Sequence, residues 1–301
     1  MSINVLTVGV AVIDFVMNLD EMPCRAEKYR ANDAAIVGGG CGANAAVAIS
    51  RLGGECDLVA RLGDDQIGDL IISGLRKENV NCDLARQFSG CRSSFSSIFI
   101  DRAGERQIVN YRDFGFPACA DWLLDIPFSY DAVLADTRWP EGAEVAMKLA
   151  KSNGVPGIVD AEPPFDGTHT ALELASHVAF SAQGLRSFTS AEDLPSGLEI
   201  ANARLNNFVC VTDGPNGVWW MENQTVRHKP AFNIVSVDTL GAGDVWHGAF
   251  ALKLGENSDI ELAIEFSNAV AALKCMRHGG REGTPSRNET DSFIRKNSQC
   301  N

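Results

Sequence analysis

Residues 238–250 read DTLGAGDVWHGAF, with three small residues, Gly241, Ala242 and Gly243, directly before Asp244. From Val245 to Leu254 the apolar residues fall at helical spacing. The preceding NIVSV (233–237) is β-branched and is expected as a strand. A strand, a tight glycine turn and a helix start would present unpaired N–H groups and partial positive charge to an anion. Small residues let that anion approach the backbone closely. An aspartate here would repel the same anion, unless it takes a proton from a hydroxyl that then attacks a phosphoryl group held alongside. On that reading the N–H groups of Gly241, Ala242 and Gly243 stabilise charge as it develops on the phosphoryl oxygens. The competing reading makes Asp244 only a helix N-cap.

A second glycine stretch, GGGCGANAAVAISRLGG (38–54), leads into an Ala-rich helix that closes on Gly53 and Gly54. Taken alone it fits close packing of a helix on a sheet as well as a binding turn. Rival phosphate motifs are missing. The chain holds no G-x-x-x-x-G-K-[ST], and the first strand runs into VID rather than G-x-G-x-x-G. A dinucleotide-dependent dehydrogenase is therefore disfavoured.

The elements that must position these turns follow from pattern. INVLTVGVAVID (3–14) is expected as a buried first strand, and CDLVARLGDD (56–65) as the next strand with its turn. QIGDLIISGLRKENV (66–80) has the period of an amphipathic helix. SSFSSIFIDRAGERQIVNYR (93–112) is two extended runs joined at DRAGE, a hairpin by pattern. Beyond residue 130, strands and helices alternate and finish in a long helix from DIELAIEFSNAVAALKCM. Alternation of this kind builds a mostly parallel sheet with helices on both faces. Segments 15–37 and 93–112 interrupt it, and both are extended enough to pair as a small accessory sheet.

The 301 residues are 45% hydrophobic and 22% charged, enough for a sizeable core. A net charge of −13 argues against a general nucleic-acid or membrane-surface binder. Nine cysteines without a C-x-x-C pair read as reduced thiols of a cytoplasmic protein. The early apolar run is broken by Asp14, so neither a signal peptide nor a membrane span is expected.

The two glycine stretches together resemble the paired signatures of the PfkB (ribokinase-like) carbohydrate kinases, in the family's order and about two hundred residues apart. RLGDDQIGD and VTDGPNGVWW extend the resemblance over the whole chain. It implies a ribokinase-like three-layer α/β/α fold with a mostly parallel central sheet and a small β-sheet lid. One kinase domain would span 1–301, with the lid drawn from about 15–37 and 93–112. It implies transfer of the γ-phosphoryl group of ATP to a sugar hydroxyl, with Mg2+ accompanying the nucleotide. On this resemblance Asp244 is the base beside Gly241, Ala242 and Gly243, while Asp14, at the end of the first strand, grips sugar hydroxyls. Gly39, Gly40 and Asn44 would line the sugar site, and Thr212, Gly214, Gly217 and Asn268 would meet the nucleotide. The bland alternative for Asn268 is a helix residue facing solvent. One departure stands out: SAQG puts Ser181 and Gly184 where the family carries Asn and Glu of N-x-x-E, so no protein metal ligand is assigned.

Lys28 in RAEKYR, Asn110 in IVNYR and Arg138 in VLADTRW could together clamp an anionic group at the far end of the sugar. Alternatively the two cations are surface charges or members of an ion pair. EKYR, VLADTRW and AALKCMRHGGREG are similar to the sulfofructose kinase branch, whose members phosphorylate 6-deoxy-6-sulfofructose at C1 in sulfoquinovose breakdown. Fructose 6-phosphate presents similar charge and is the nearest rival acceptor, followed by a neutral sugar. A sugar- or nucleotide-binding regulator that lost catalysis is the remaining alternative. Unpaired edges of a protruding small sheet would allow a homodimer through the lid.

Overall fold

The computed structural model describes residues 2–298. The chain opens with β1 (Asn4–Val8), β2 (Val12–Asn18), β3 (Asp33–Gly39), α1 (Cys41–Arg51), β4 (Glu55–Val59), β5 (Arg61–Gly63) and α2 (Gln66–Lys77). It continues through β6 (Arg86–Phe88), β7 (Phe95–Ile100), β8 (Arg106–Tyr111), β9 (Ala132–Asp136), α3 (Pro140–Asn153), β10 (Gly157–Ala161) and α4 (His169–Leu174). Next come β11 (His177–Ser181), α5 (Ala182–Thr189), α6 (Leu194–Leu205), β12 (Phe208–Thr212), β13 (Val218–Glu222) and β14 (Thr225–Lys229). The last helices are α7 (Ala242–Gly255), α8 (Ile260–Cys275) and α9 (Arg287–Ser298).

Eight strands form the main sheet in the order β14-β13-β12-β11-β10-β9-β1-β4. From β4 to β12 the neighbours are parallel, and the β13–β14 hairpin closes the far edge antiparallel. Strands buried on both faces need apolar residues at every position, and β9 shows the consequence. Ala132 and Leu134 enter the core beneath α1, α7 and α8, while Val133 and Ala135 enter the core beneath α3, α5 and α6. Phe250 anchors the first core and Phe180 the second, both fully buried.

The two interrupting segments form a second, four-stranded sheet in the order β3-β2-β7-β8. Every residue of β8 is exposed, so this sheet stands away from the core along that edge.

Three local expectations fail. Residues 3–14 are two strands, because the chain breaks at Gly9–Ala11, where Val10 N–H leaves strand pairing for Asp136 Oδ2 at 2.7 Å. Asp14 consequently lies within β2 of the small sheet rather than at the end of a main-sheet strand. Residues 56–65 likewise split, with β5 turning away to pair with β6. NIVSV forms no strand; Val237 and Asp238 instead donate to the Cys275 carbonyl at the end of α8.

Candidate active site

The two glycine turns converge because the helices they start pack closely. At the crossing, Gly248 of α7 lies so near Ala45 of α1 that a β-carbon on it would strike the Ala45 backbone. Each turn needs glycine for a positive φ, and the first also for a close approach. Gly40, before α1, has φ +95° and lies against the Val10 carbonyl, whereas Gly241, before α7, has φ +73° in the left-handed region. Asn44 Nδ2 then donates to Asp244 Oδ2 at 2.7 Å across two hundred residues of sequence. That bond fixes one carboxylate oxygen and leaves Oδ1 for another partner.

The turn itself offers fewer donors than expected. Ala242 N–H is already bonded to the Thr239 carbonyl at 3.2 Å, which corrects its expected role as a phosphoryl donor. Among the described residues no acceptor meets the N–H groups of Gly241, Gly243 or Asp244. Gly243 is exposed and Gly241 and Asp244 half-buried, so an anion can reach them.

Behind Asp244 lies an acidic floor at the C-terminal ends of β9 and β10. Asp136 and Asp160 sit side by side in register and both are buried. Asp136 accepts three main-chain N–H bonds, from Val10, Gly42 and Arg138, which tie the end of β1 to the start of α1. Asp160 has no such support: its Oδ1 lacks a hydrogen-bond partner and lies 3.5 Å from His247 Nε2. Burial, with Asp244 as a nearby like charge, pushes the Asp160 carboxyl up to about 7, although His247 opposes the shift. His247 Nδ1 faces the Gly243 carbonyl at 2.7 Å, so this ring links the floor to the glycine turn.

A basic rim faces the other way. Arg61, Arg112 and Arg138 line one small cavity together with Gly9, Val10, Trp139 and one carboxylate, that of Asp113. Their contacts within the protein run to carbonyls and rings: Arg61 Nη1 to Pro117 at 3.0 Å, Arg138 Nη1 to Pro163 at 2.6 Å, and Arg112 Nη2 to Arg138. Arg61 also stacks over Trp139. None of the three has a carboxylate within ion-pair distance among the described residues. Burial holds the Arg61 guanidinium below its ordinary value, against the opposing effect of the Glu141 carboxylate and with Arg112 as a like charge nearby.

The remaining sequence candidates divide. Asp14 is buried, and a β-carbon on Gly39 would strike its Oδ2. Burial raises the Asp14 carboxyl, against the opposing effects of Ser96 and Arg281. Asn110 pairs in register with Ser96, which pairs with Asp14, so the three share one face of the small sheet. Lys28 is exposed in the 19–32 loop, and no contact brings it to Arg138. Thr212 ends β12, and Gly214 and Gly217 shape the turn into β13. Asn268 is buried rather than solvent-facing: its Oδ1 accepts from Trp246 Nε1 at 2.8 Å while its Nδ2 has no partner.

Ser181 and Gly184 offer a magnesium ion no carboxylate. A side chain at Gly184 would strike the Ala161 carbonyl, and Ser181 Oγ accepts the Gly184 N–H at 2.9 Å as the cap of α5. Cys41 Sγ and carboxylate oxygens of Asp160 and Asp244 do lie within 4.8 Å of one another. A thiol in that set is unsuited to an ion that demands oxygen ligands.

A family model described as pfkB family carbohydrate kinase matches residues 2–287. The chain belongs to that family. This carbohydrate kinase is 28% identical over 295 residues to the ribokinase of Bacillus subtilis, covering 97% of this chain and 99% of that one. A solved candidate ribokinase from Agrobacterium tumefaciens superposes with a TM-score of 0.92 at 34% identity, over 99% of both chains. Arabidopsis thaliana ribokinase, solved with ribose and ATP, superposes at 0.87 with 23% identity over 98% of this chain and 99% of that one, a likeness of fold. The enzyme is an ATP-dependent sugar kinase with the ribokinase-like α/β fold and a smaller second sheet. No described helix is long and apolar enough to cross a membrane. Eight of the kinase's cysteines are free thiols, and Cys300 lies outside the described residues. Sequence reasoning missed Arg61, Arg112 and Asp160 in this kinase, although Arg112 stands just past β8, Asp160 one residue before the end of β10 and Arg61 two residues beyond β4, near the kind of position that singled out Arg138.

Proposed function

We propose that this kinase phosphorylates a hydroxyl of an anionic ketose, with 6-deoxy-6-sulfofructose, taken to its 1-phosphate, as the best-fitting acceptor. The observation that carries this reading is the rim: three guanidinium groups share a cavity with a single carboxylate, that of Asp113, and none has an ion-pair partner among the described residues. Three positive groups against one lining carboxylate leave net positive charge, which favours an anionic ligand. A sulfonate or phosphate ester supplies that anion, and Arg138 is its principal clamp, supported by Asn110 and more weakly by Lys28.

In this reading the small sheet is a lid, and Asp14, Gly39, Gly40 and Asn44 hold the sugar beneath it. Asp244 Oδ1 takes the proton of the attacking hydroxyl while Asn44 holds Oδ2. The hydroxyl oxygen bonds to the γ-phosphorus as the bond to ADP breaks, and the N–H groups of Gly241 and Gly243 meet the phosphoryl oxygens. Thr212, Gly214, Gly217 and the free Nδ2 of Asn268 face the nucleotide, whose magnesium is held by its own phosphates and water. Residues 1–301 act as a single catalytic unit in the cytoplasm. Exposed Ile36, Ile108 and Val109 on the lid support a homodimer formed through it.

A neutral pentose is the second reading, favoured by the ribokinase names of the relatives. An ADP-release assay with sulfofructose, fructose 6-phosphate, fructose and ribose side by side separates them. Preference for sulfofructose supports the clamp. Preference for ribose keeps the Asp244 base and removes the anionic acceptor.

A further inference from the structure

Lys274 is the largest charged side chain in the molecule with no exposure at all. It occupies the last turn of α8, where a cation complements the helix dipole from the surface without being buried. Burying an ammonium is costly unless it is bonded and paired, and its partners here are specific. Nζ donates to the Asp238 carbonyl at 2.8 Å and lies 3.6 Å from Asp238 Oδ2. Asp238 stands three residues before Gly241 and organises the approach to the glycine turn. Its Oδ1 accepts Leu240 N–H at 2.9 Å, and its Oδ2 accepts Gly279 and Gly280 N–H at 3.2 and 3.1 Å. The neighbouring Cys275 carbonyl takes the N–H groups of Val237 and Asp238, and the Thr239 carbonyl takes that of Ala242.

The N–H groups of Val237, Asp238, Leu240 and Ala242 are thus spent on α8, on Asp238 or on the turn itself, while those of Gly241, Gly243 and Asp244 have no acceptor among the described residues. We infer that Lys274 is a positioning residue: its buried ammonium, acting through Asp238, holds the 241–244 turn in the shape that receives the transferring phosphoryl group. A lysine serving only the core would support folding and leave turnover of the folded enzyme unchanged. The inference rests on reading Gly241–Asp244 as the phosphoryl site.

The test is Lys274→Met, which keeps most of the stem and removes the charge, with Lys274→Gln, which keeps an N–H donor, as companion. The full-length folded variants should lose kcat by about 10- to 100-fold, below the loss for a whole donor of an oxyanion site, with KM for ATP and sugar moving less than about threefold. Lys274→Gln should retain more kcat than Lys274→Met, and methylammonium should restore part of the kcat of Lys274→Ala. Unchanged kcat in folded Lys274→Met, or equal rises in both KM values without a fall in kcat, overturns the inference. Should Lys274→Met not fold, the same two outcomes are read on Lys274→Gln. Asp244→Asn separates the two readings. If it stays active, the phosphoryl-site reading falls; if it is inactive beside a fully active Lys274→Met, only the role of Lys274 falls.

Discussion

The acidic floor and the basic rim meet at the end of β9, where Asp136 accepts the Arg138 N–H two residues along the chain. Among the described residues, Asp136, Asp160 and Asp244 on the floor have no lysine or arginine within ion-pair distance, and the three arginines of the rim have no carboxylate there. Charges elsewhere do pair, as half-buried Arg51 does with Glu78 at 2.8 Å. The contrast has a chemical reason. On the proposed function, a salt-bridged carboxylate would be a poor base and a salt-bridged guanidinium a poor anion receptor, so a site using both would keep them apart. Main-chain groups carry the load instead: N–H donors support Asp136, and carbonyls of Pro117 and Pro163 orient the arginines.

Breaking the floor should have the largest effect. Asp244→Asn should lower kcat by about 1,000-fold, within the range of a lost general base, while ATP and sugar still bind. Near-normal turnover would make the floor structural. Breaking the rim comes next: Arg138→Ala should raise KM for an anionic ketose by about 10- to 100-fold, the worth of a charge-assisted bond, with KM for ATP steady. Equal effects on both substrates would dissolve the distinction.

Asp160→Asn sharpens the comparison through pH. The Asp160 carboxyl is raised from 3.8 to about 7 by burial, so between those values the folded state holds a proton that the unfolded chain has released. Its contribution to stability is complete below the lower value and fades as pH rises through the upper one. Melting temperatures from pH 4 to 8 should show that decline in the native enzyme and a shallower one in Asp160→Asn; parallel curves would contradict it. The smallest effect belongs to Lys28→Ala, whose exposed charge should shift KM for the anionic acceptor by about threefold at most. A larger shift would enrol the 19–32 loop in the rim.

Much of the frame was legible before any coordinates. The helices after both glycine stretches, the 93–112 hairpin and the alternating pattern beyond residue 130 arise from local periodicity and turn chemistry, and they stand in the structure. NIVSV shows where local reasoning stops. Its β-branched residues favour a strand only against a neighbour; here Val235 is 82% exposed and no strand lies beside it. The break at Gly9–Ala11 was hidden for a related reason, since the N–H that interrupts the strand is captured by Asp136, more than a hundred residues away.

The sequence by itself determined which residue types could do chemistry and which elements would carry them: a carboxylate behind a glycine turn, a second glycine turn, and an arginine past a strand end. Only the tertiary structure decided their company. It brought Asn44 to Asp244, put Asp160 beneath them, gathered Arg61 and Arg112 around Arg138, left Lys28 outside, and buried Lys274 against Asp238. Secondary structure is written in near neighbours along the chain, whereas charge environment depends on which strand ends and helix starts the sheet order places side by side.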